Sequence, residues 1–298
     1  MKLAPIALFV YNRPIHTKTV VEALKSNKLA SESDIFIFSD QPKSTNDVQG
    51  VKEVRDYLIT ITGFKSVKII KRSENFGLAK SILSGVTQLV SNFGKVIVLE
   101  DDHVTSPFFL KFMNEALDKY EQEERVISIS GYIYPVKRPL PKTFFLVGAD
   151  CWGWGTWKRG WDLLETNGRL LLEKIQDQSL ERKFDFNGTY PYVKMLQDQI
   201  EGRNNSWAIL WYASAFLTQK LTLYPGRSFI RNIGSDGTGV HSGVTSDFDV
   251  ELATEPTVIE DIPICESTDA FRAIAEFHRR RRTNVLKRFL RKILMSKA

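Results

Sequence analysis

Five short apolar runs, at residues 6–11, 35–39, 67–70, 96–99 and 126–129, alternate with stretches of helical periodicity near residues 17–26, 47–60, 78–92 and 107–122. Runs of this length, rich in β-branched and aromatic residues and joined through helices instead of tight turns, assemble as parallel βαβ units. Most are apolar almost throughout, as strands covered on both faces must be. The expectation is an α/β fold with a mostly parallel sheet flanked by helices.

The polar residues just past each run bear on function. Asn12 and Arg13 come after the first, Asp40 after the second, Glu74, Asn75 and Gly77 after the third, and Glu100, Asp101 and Asp102 after the fourth. In open parallel sheets ligands bind in the crevice outside the carboxyl ends of the strands, so these groups are expected to converge on one pocket. The acidic triplet is the sharpest of them. Three adjacent carboxylates repel unless solvent, a proton or a cation relieves them, and an oxygen-preferring divalent metal does so while also gripping phosphate. The alternative is a solvated acidic loop that caps the helix expected from about Pro107. A dinucleotide fold or a P-loop would place glycines after the first strand; the sequence there is Tyr11-Asn12-Arg13-Pro14, which argues against both.

Beyond residue 131 the alternation stops, and Pro135, Pro139 and Pro141 punctuate a loop. All six tryptophans fall between Trp152 and Trp211, four of them within residues 151–161. A tryptophan offers a flat apolar face and one N–H donor, which suits either a packed core or the C–H faces and hydroxyls of a sugar ring; Trp154 is the donor-side candidate. Residues 232–243 carry four glycines, so this segment is either a plain surface loop or a closing lid whose N–H groups approach a diphosphate.

With 298 residues, 43% of them apolar and 26% charged, the chain suits one large domain or two compact halves. No apolar run approaches the roughly 18 residues of a membrane span, and Met1-Lys2-Leu3-Ala4-Pro5 lacks the apolar length of a signal peptide, so a cytoplasmic location is expected. Cys151 and Cys265 are too few for a disulfide framework and lack metal-type spacing; they read as reduced and structural. The formal charge of +6 is concentrated at the end, where residues 279–298 hold nine bases and no acid. With that stretch set aside, 32 bases face 35 acids, a net of −3, so the body has no general nucleic-acid-binding character. Val285, Phe289 and Ile293, with Leu286, Leu290 and Leu294 beside them, form an apolar stripe backed by Lys287, Arg288, Arg291 and Lys292. That pattern fits a basic amphipathic helix on an anionic membrane surface, or one docked on the body or on a second subunit.

Between about Pro5 and His241 the chain resembles the GT-A-fold glycosyltransferases, particularly the N-acetylglucosaminyltransferase I type and bacterial relatives that assemble surface polysaccharides. The resemblance is carried by Asn12-Arg13-Pro14, Phe38-Ser39-Asp40, Asn75-Phe76-Gly77-Leu78, Glu100-Asp101-Asp102 with Phe108-Phe109, Trp152-Gly153-Trp154-Gly155-Thr156-Trp157 and Asn232-Ile233-Gly234. It implies a nucleotide-sugar-binding half over 1–130, an acceptor-binding, Trp-rich half over 131–250 and a C-terminal extension over 251–298. It also implies a nucleotide-sugar donor, such as a UDP-sugar, and an inverting transfer assisted by Mn²⁺ or Mg²⁺. The acceptor would be a glycan or lipid-linked glycan, and the enzyme peripheral on the inner membrane face. Asp102 would ligate the metal, with His241 a second candidate. Glu100 and Asp101 would act through water or the ribose, Arg13 near the phosphates, and Asp40, Asn75 and Gly77 around the donor. The base position before Ser206-Trp207 holds Asn205, and an amide has no useful basicity. That leaves Glu201, Asp198, an incoming Asp236, or a weak or inactive transferase.

Overall fold

The computed structural model describes residues 2–238 and 244–295, with side chains described as far as residue 283. The elements run β1 (Ile6–Val10), α1 (Pro14–Lys25), β2 (Asp34–Ser39), α2 (Val48–Leu58), β3 (Ser66–Lys71), α3 (Gly77–Phe93), β4 (Lys95–Glu100), β5 (His103–Thr105), α4 (Phe109–Lys119) and β6 (Val126–Ser130). Then come β7 (Thr143–Val147), β8 (Trp154–Trp157), α5 (Lys158–Trp161), α6 (Gly168–Asp177), α7 (Glu181–Phe184), α8 (Tyr192–Ile200), α9 (Trp207–Leu217), β9 (Leu221–Pro225), β10 (Ile230–Asn232) and α10 (Thr268–Met295).

Eight strands form one sheet in the order β3-β2-β1-β4-β8-β6-β9-β7, and β10 pairs with β5 as a separate ribbon. The strands β3, β2, β1 and β4 are mutually parallel. Strand β8 runs antiparallel between β4 and β6, β9 lies parallel to β6 and β7 antiparallel to β9. The sheet is therefore mixed and mostly parallel on its N-terminal side, as expected. The tryptophan segment, however, supplies an interior strand of the same sheet.

Successive strand residues point to opposite faces, which divides the core. Ile6, Leu8, Ile35, Ile37, Ile97 and Leu99 pack with α1, α2 and α4 on one face. Ala7, Phe9, Phe36, Phe38, Val96 and Val98 meet Ile82, Val86, Leu89 and Val90 of α3 on the other. Local chemistry sets the helix ends. Pro14 opens α1, where its fixed φ and missing N–H are harmless. Gly94 closes α3 at φ 82°, a left-handed turn that glycine adopts without cost. Helix α9 is apolar on nearly every side, as a helix enclosed by protein must be, and Ser206 Oγ accepts the Ile209 N–H to cap it.

Trp154 is 0% exposed and packs against Trp161, Trp207 and Trp211 at ring-centroid distances of 5.6, 5.4 and 5.9 Å. Its donor-side role is thereby corrected: an interior strand has both faces covered, so this indole is core. Among the described residues no helix is long and apolar enough to cross a membrane. The first part of α10 buries Ala270, Ala273, Ile274, Ala275 and Phe277 in the body; the side chains from Val285 to Leu294, which carry the amphipathic expectation, lie outside the described residues.

Replacing Trp154 by Ala is expected to cost about 3–5 kcal/mol, read as a lower urea midpoint at unchanged slope. Its indole N–H has no hydrogen-bond partner, so Trp154→Phe, which also removes that unpaired donor, is expected to cost less.

Candidate functional site

The carboxyl ends of β1 to β4 open on one cavity of about 730 Å³, within the range of small-molecule sites. Asn12, Arg13, Asp40, Asn75, Gly77, Glu100, Asp101 and Asp102 all line it. The expected convergence holds for these eight residues, whereas Glu74, also expected there, is absent from the lining and pairs with Lys80.

At its charged end, Phe9 of β1 stands beside Glu100 of β4 in register, which brings Arg13, four residues further on, over the acids. Arg13 Nη2 donates to Asp101 Oδ1 and to Asp102 Oδ2, the latter at 2.9 Å. Burial works against the guanidinium charge, but Asp101 and then Asp102 more than reverse this, and the Arg13 pKa is raised. Burial also pushes the Asp101 carboxyl up, opposed chiefly by Arg13. Glu100 is driven well up by burial first and then by its two acidic neighbours.

His103 bears on Asp102 from behind. Its Nδ1 accepts the Glu100 N–H at 3.1 Å, and burial lowers its pKa to about 4, so the neutral ring carries its proton on Nε2. That nitrogen lies 3.5 Å from Asp102 Oδ1, beyond a good hydrogen bond. Asp102 Oδ1 and Arg13 Nη1 are buried and, among the described residues, have no hydrogen-bond partner. Among the described residues no group of three or more His, Cys, Asp or Glu side chains converges as a ready-made metal cage. A cation of the magnesium type needs no such cage, because one or two carboxylates plus substrate phosphates suffice. The single orphaned oxygen of Asp102 fits that arrangement.

The segment after β10 completes this end. The Ile233 N–H donates to the Asp102 carbonyl at 2.9 Å, and a Cβ at Gly234 would collide with the Asp102 carboxylate. Glycine is required here by space. The acidic triplet does not cap α4: β5 intervenes, and Ser106 and Asn27 serve that helix start.

Asp40 has a structural task. Its Oδ1 accepts the N–H groups of Gln41 at 3.0 Å and Phe76 at 2.9 Å, and its Oδ2 that of Gly77 at 2.8 Å. It thereby anchors the start of α3, while Asn75 Nδ2 donates to the Gln41 carbonyl at 2.5 Å.

The expected bases are distributed differently. Asn205 lines the cavity. Glu201 and Asp198 are absent from its lining; Asp198 is tied to Lys194 at 2.6 Å and to Arg203, and Glu201 pairs with Arg203. Hydrogen bonds from Lys194, foremost, and Arg203 hold the Asp198 carboxyl below its ordinary range. Asp236 faces His16 at 3.1 Å. His241 lies outside the described residues.

The far end of the cavity was not legible from the sequence. Tyr134, Asp150, Tyr190, Tyr192, Tyr224 and His278 wall it, drawn from separate parts of the chain. Asp150 stands next to the tryptophan run, where its position in front of Cys151 is the one available signal. Cys151, free and half-buried, lies beside it.

Comparisons add little. No protein-family model matches the chain, and no curated protein matches it. Among solved structures, a mannosyltransferase of Pyrobaculum calidifontis in complex with GDP-Man and Mn²⁺ is 14% identical, with a TM-score of 0.33 over 47% of this chain and 37% of that one. S. aureus TarS 1-349 is 11% identical, with a TM-score of 0.43 over 76% of this chain and 59% of that one. A UDP-glucose pyrophosphorylase complexed with UDP-glucose is 14% identical, with a TM-score of 0.32 over 54% of this chain and 79% of that one. The chain thus spans 37% and 59% of the lengths of the first two. These are partial likenesses, and the functional reading rests on the cavity itself.

Burial, helped by the nearby Arg281 charge, lowers the His278 pKa to about 4 from 6.5. Between those values the unfolded chain binds the extra proton, so this stability is full above pH 6.5 and is lost as pH falls towards 4. Chemical denaturation across that window is expected to show a loss to which His278 contributes on the order of 3 kcal/mol, with His103, lowered likewise, adding its own, and His278→Gln to remove only its part of the slope.

Proposed function

We propose that this chain is a metal-assisted glycosyltransferase that moves a sugar, with inversion, from a nucleotide-sugar donor to a glycan or lipid-linked acceptor. One observation carries the reading: polar residues after four successive parallel strands line a single cavity, with an acidic cluster at one end and aromatic walls at the other. A nucleoside diphosphate needs positive charge, and Arg13 retains one unpartnered Nη1 beside the acids. Asp102 would hold a Mn²⁺ or Mg²⁺ ion through its free oxygen. When bound, such an ion neutralises charge on the departing diphosphate. Asp101 and Asp102 fix Arg13, and Glu100 adds to the local charge; Asn12, Asn75 and Gly77 offer polar contacts to the donor. Uridine as the base, and a role in surface-polysaccharide assembly, come from the resemblance of the motifs.

A second reading, a sugar-nucleotide-binding protein with lost catalysis, is favoured by Asn205 at the position where a base is expected. A nucleotidyltransferase is disfavoured by the lack of glycine in Tyr11-Asn12-Arg13-Pro14.

A panel of UDP-, GDP- and dTDP-sugars is expected to contain one that raises the melting temperature only with Mn²⁺, since a ligand selective for the folded state stabilises it. In Asp102→Asn that metal-dependent affinity should fall at least tenfold. If no sugar nucleotide stabilises the wild type with or without metal, the transferase and binding-protein readings both fail. Binding without sugar release would leave only the second.

The sequence of residues 279–294, basic with an apolar repeat, supports attachment to an anionic bilayer face. Chains ending at residue 283 are expected to stop co-sedimenting with phosphatidylglycerol-containing vesicles while still binding the donor, and full-length binding to weaken as salt rises. Equal sedimentation of both chains would contradict this.

A further inference from the structure

We infer that Asp150 is the general base for the acceptor, and that the tyrosine-walled recess around it receives the acceptor sugar. This rests on the transferase reading above.

The acids lining the cavity, among the described residues, are Asp40, Glu100, Asp101, Asp102 and Asp150. Asp40 spends its two oxygens on three backbone N–H groups. Glu100, Asp101 and Asp102 form the cluster under Arg13, where the donor's phosphates are proposed to bind. Asp198, Glu201 and Asp236 are outside the lining. Asp150 is the remaining carboxylate of the lining, the one that meets the Tyr134 hydroxyl.

Its surroundings suit the task. Asp150 Oδ1 accepts the Cys151 N–H at 2.7 Å, and Oδ2 lies 3.3 Å from the Tyr134 hydroxyl. These contacts fix the side chain's direction while leaving acceptor capacity on both oxygens. Burial raises its pKa, partly offset by the Cys151 and Trp152 N–H groups, and a carboxylate so raised is a stronger base towards a hydroxyl. Tyr132, Tyr134, Tyr190, Tyr192 and Tyr224 all feel the Asp150 charge. Tyr190 and Tyr134 also meet the His278 ring at 4.8 and 5.0 Å. A recess with aromatic faces, several hydroxyls and a single carboxylate matches the chemistry of a neutral sugar ring, which presents C–H faces and O–H edges.

In the proposed step the acceptor hydroxyl gives its proton to the Asp150 carboxylate as its oxygen bonds to the anomeric carbon. The bond from that carbon to the phosphate oxygen breaks, and its electron pair leaves on the nucleoside diphosphate. Asp150 then releases the proton to solvent. Around Asp150 stand Cys151 and the five tyrosines that feel its charge, with His278 against the rings of Tyr134 and Tyr190 and Arg281 acting on Tyr190. Of these His278 is the one whose titration could imitate a base, so it serves as the control.

The test uses the full chain with Mn²⁺ and the same sugar-nucleotide panel, with water and then sodium azide as nucleophile. Azide is already anionic and has no proton to surrender. In Asp150→Asn, release of sugar to water is expected to fall at least 100-fold, while the donor-induced melting shift persists and azide restores turnover. Adding Asn205→Asp to that variant is expected to give no recovery. In the wild type the acid limb of the rate profile should persist in His278→Gln, a result independent of whether the Asp150 variant folds. Unchanged water-driven release in Asp150→Asn, loss of donor binding, failure of azide to restore turnover, or disappearance of the limb in His278→Gln would each overturn the assignment. A wild type inert towards every donor would overturn the transferase reading and this inference with it.

Discussion

The buried ion pair between Arg13 and the Asp101–Asp102 carboxylates governs the charged end of this molecule. Taking three adjacent acids out of water at the rim of a sheet is costly, and a cation in the same pocket offsets part of that cost only if its position is fixed. Here the position is fixed twice: by the parallel register that sets Phe9 beside Glu100, and by Pro14, which turns the chain into α1 directly after Arg13. Such a pair contributes little to net stability. Its value lies in fixing one guanidinium nitrogen and one carboxylate oxygen, both buried and, among the described residues, without a hydrogen-bond partner, within the lining of the cavity. Gly234 completes the enclosure because no larger residue fits against Asp102.

The N-terminal half of the fold was legible because its information is local. Apolar runs of strand length and the polar residue after each one can be read one segment at a time, and the parallel sheet emerges from them. The place of β8 could not be read this way. Trp154, Gly155, Thr156 and Trp157 become a central strand because β4 and β6 each leave a pairing edge open to it, a fact of tertiary assembly. The same holds for Asp40: the Phe76 and Gly77 N–H groups it accepts lie 36 and 37 residues away. Its carboxylate looks like a ligand contact and is first an anchor for a helix.

Asp198 and Glu201 illustrate a different limit. Lys194 and Asp198 are spaced i, i+4 on α8, the separation at which opposite charges meet on a helix surface, and Arg203 stands close by in sequence. That spacing argues for a solvent-facing ion-pair group, whereas nearness in sequence to Asn205 argues for a base; the ion pairs prevail. Asp150 carries no comparable local signal. Nothing around it in sequence is titratable apart from Cys151, and the tyrosines that define its environment come from residues 132–134, 190–192 and 224. Only folding assembles them.

The two ends of the cavity differ in electrostatic character, and that difference is itself a functional constraint. The strand-end side is built from fixed charges, with Arg13 tied to Asp101 and Asp102. The recess side is aromatic and sparsely charged, so a carboxylate there is poorly solvated and more basic than in water. Protonation of the Asp150 carboxylate is therefore easier than in water. Helix α10 joins this arrangement to the end of the chain, since His278 and Arg281 line the cavity and the same helix continues to Met295.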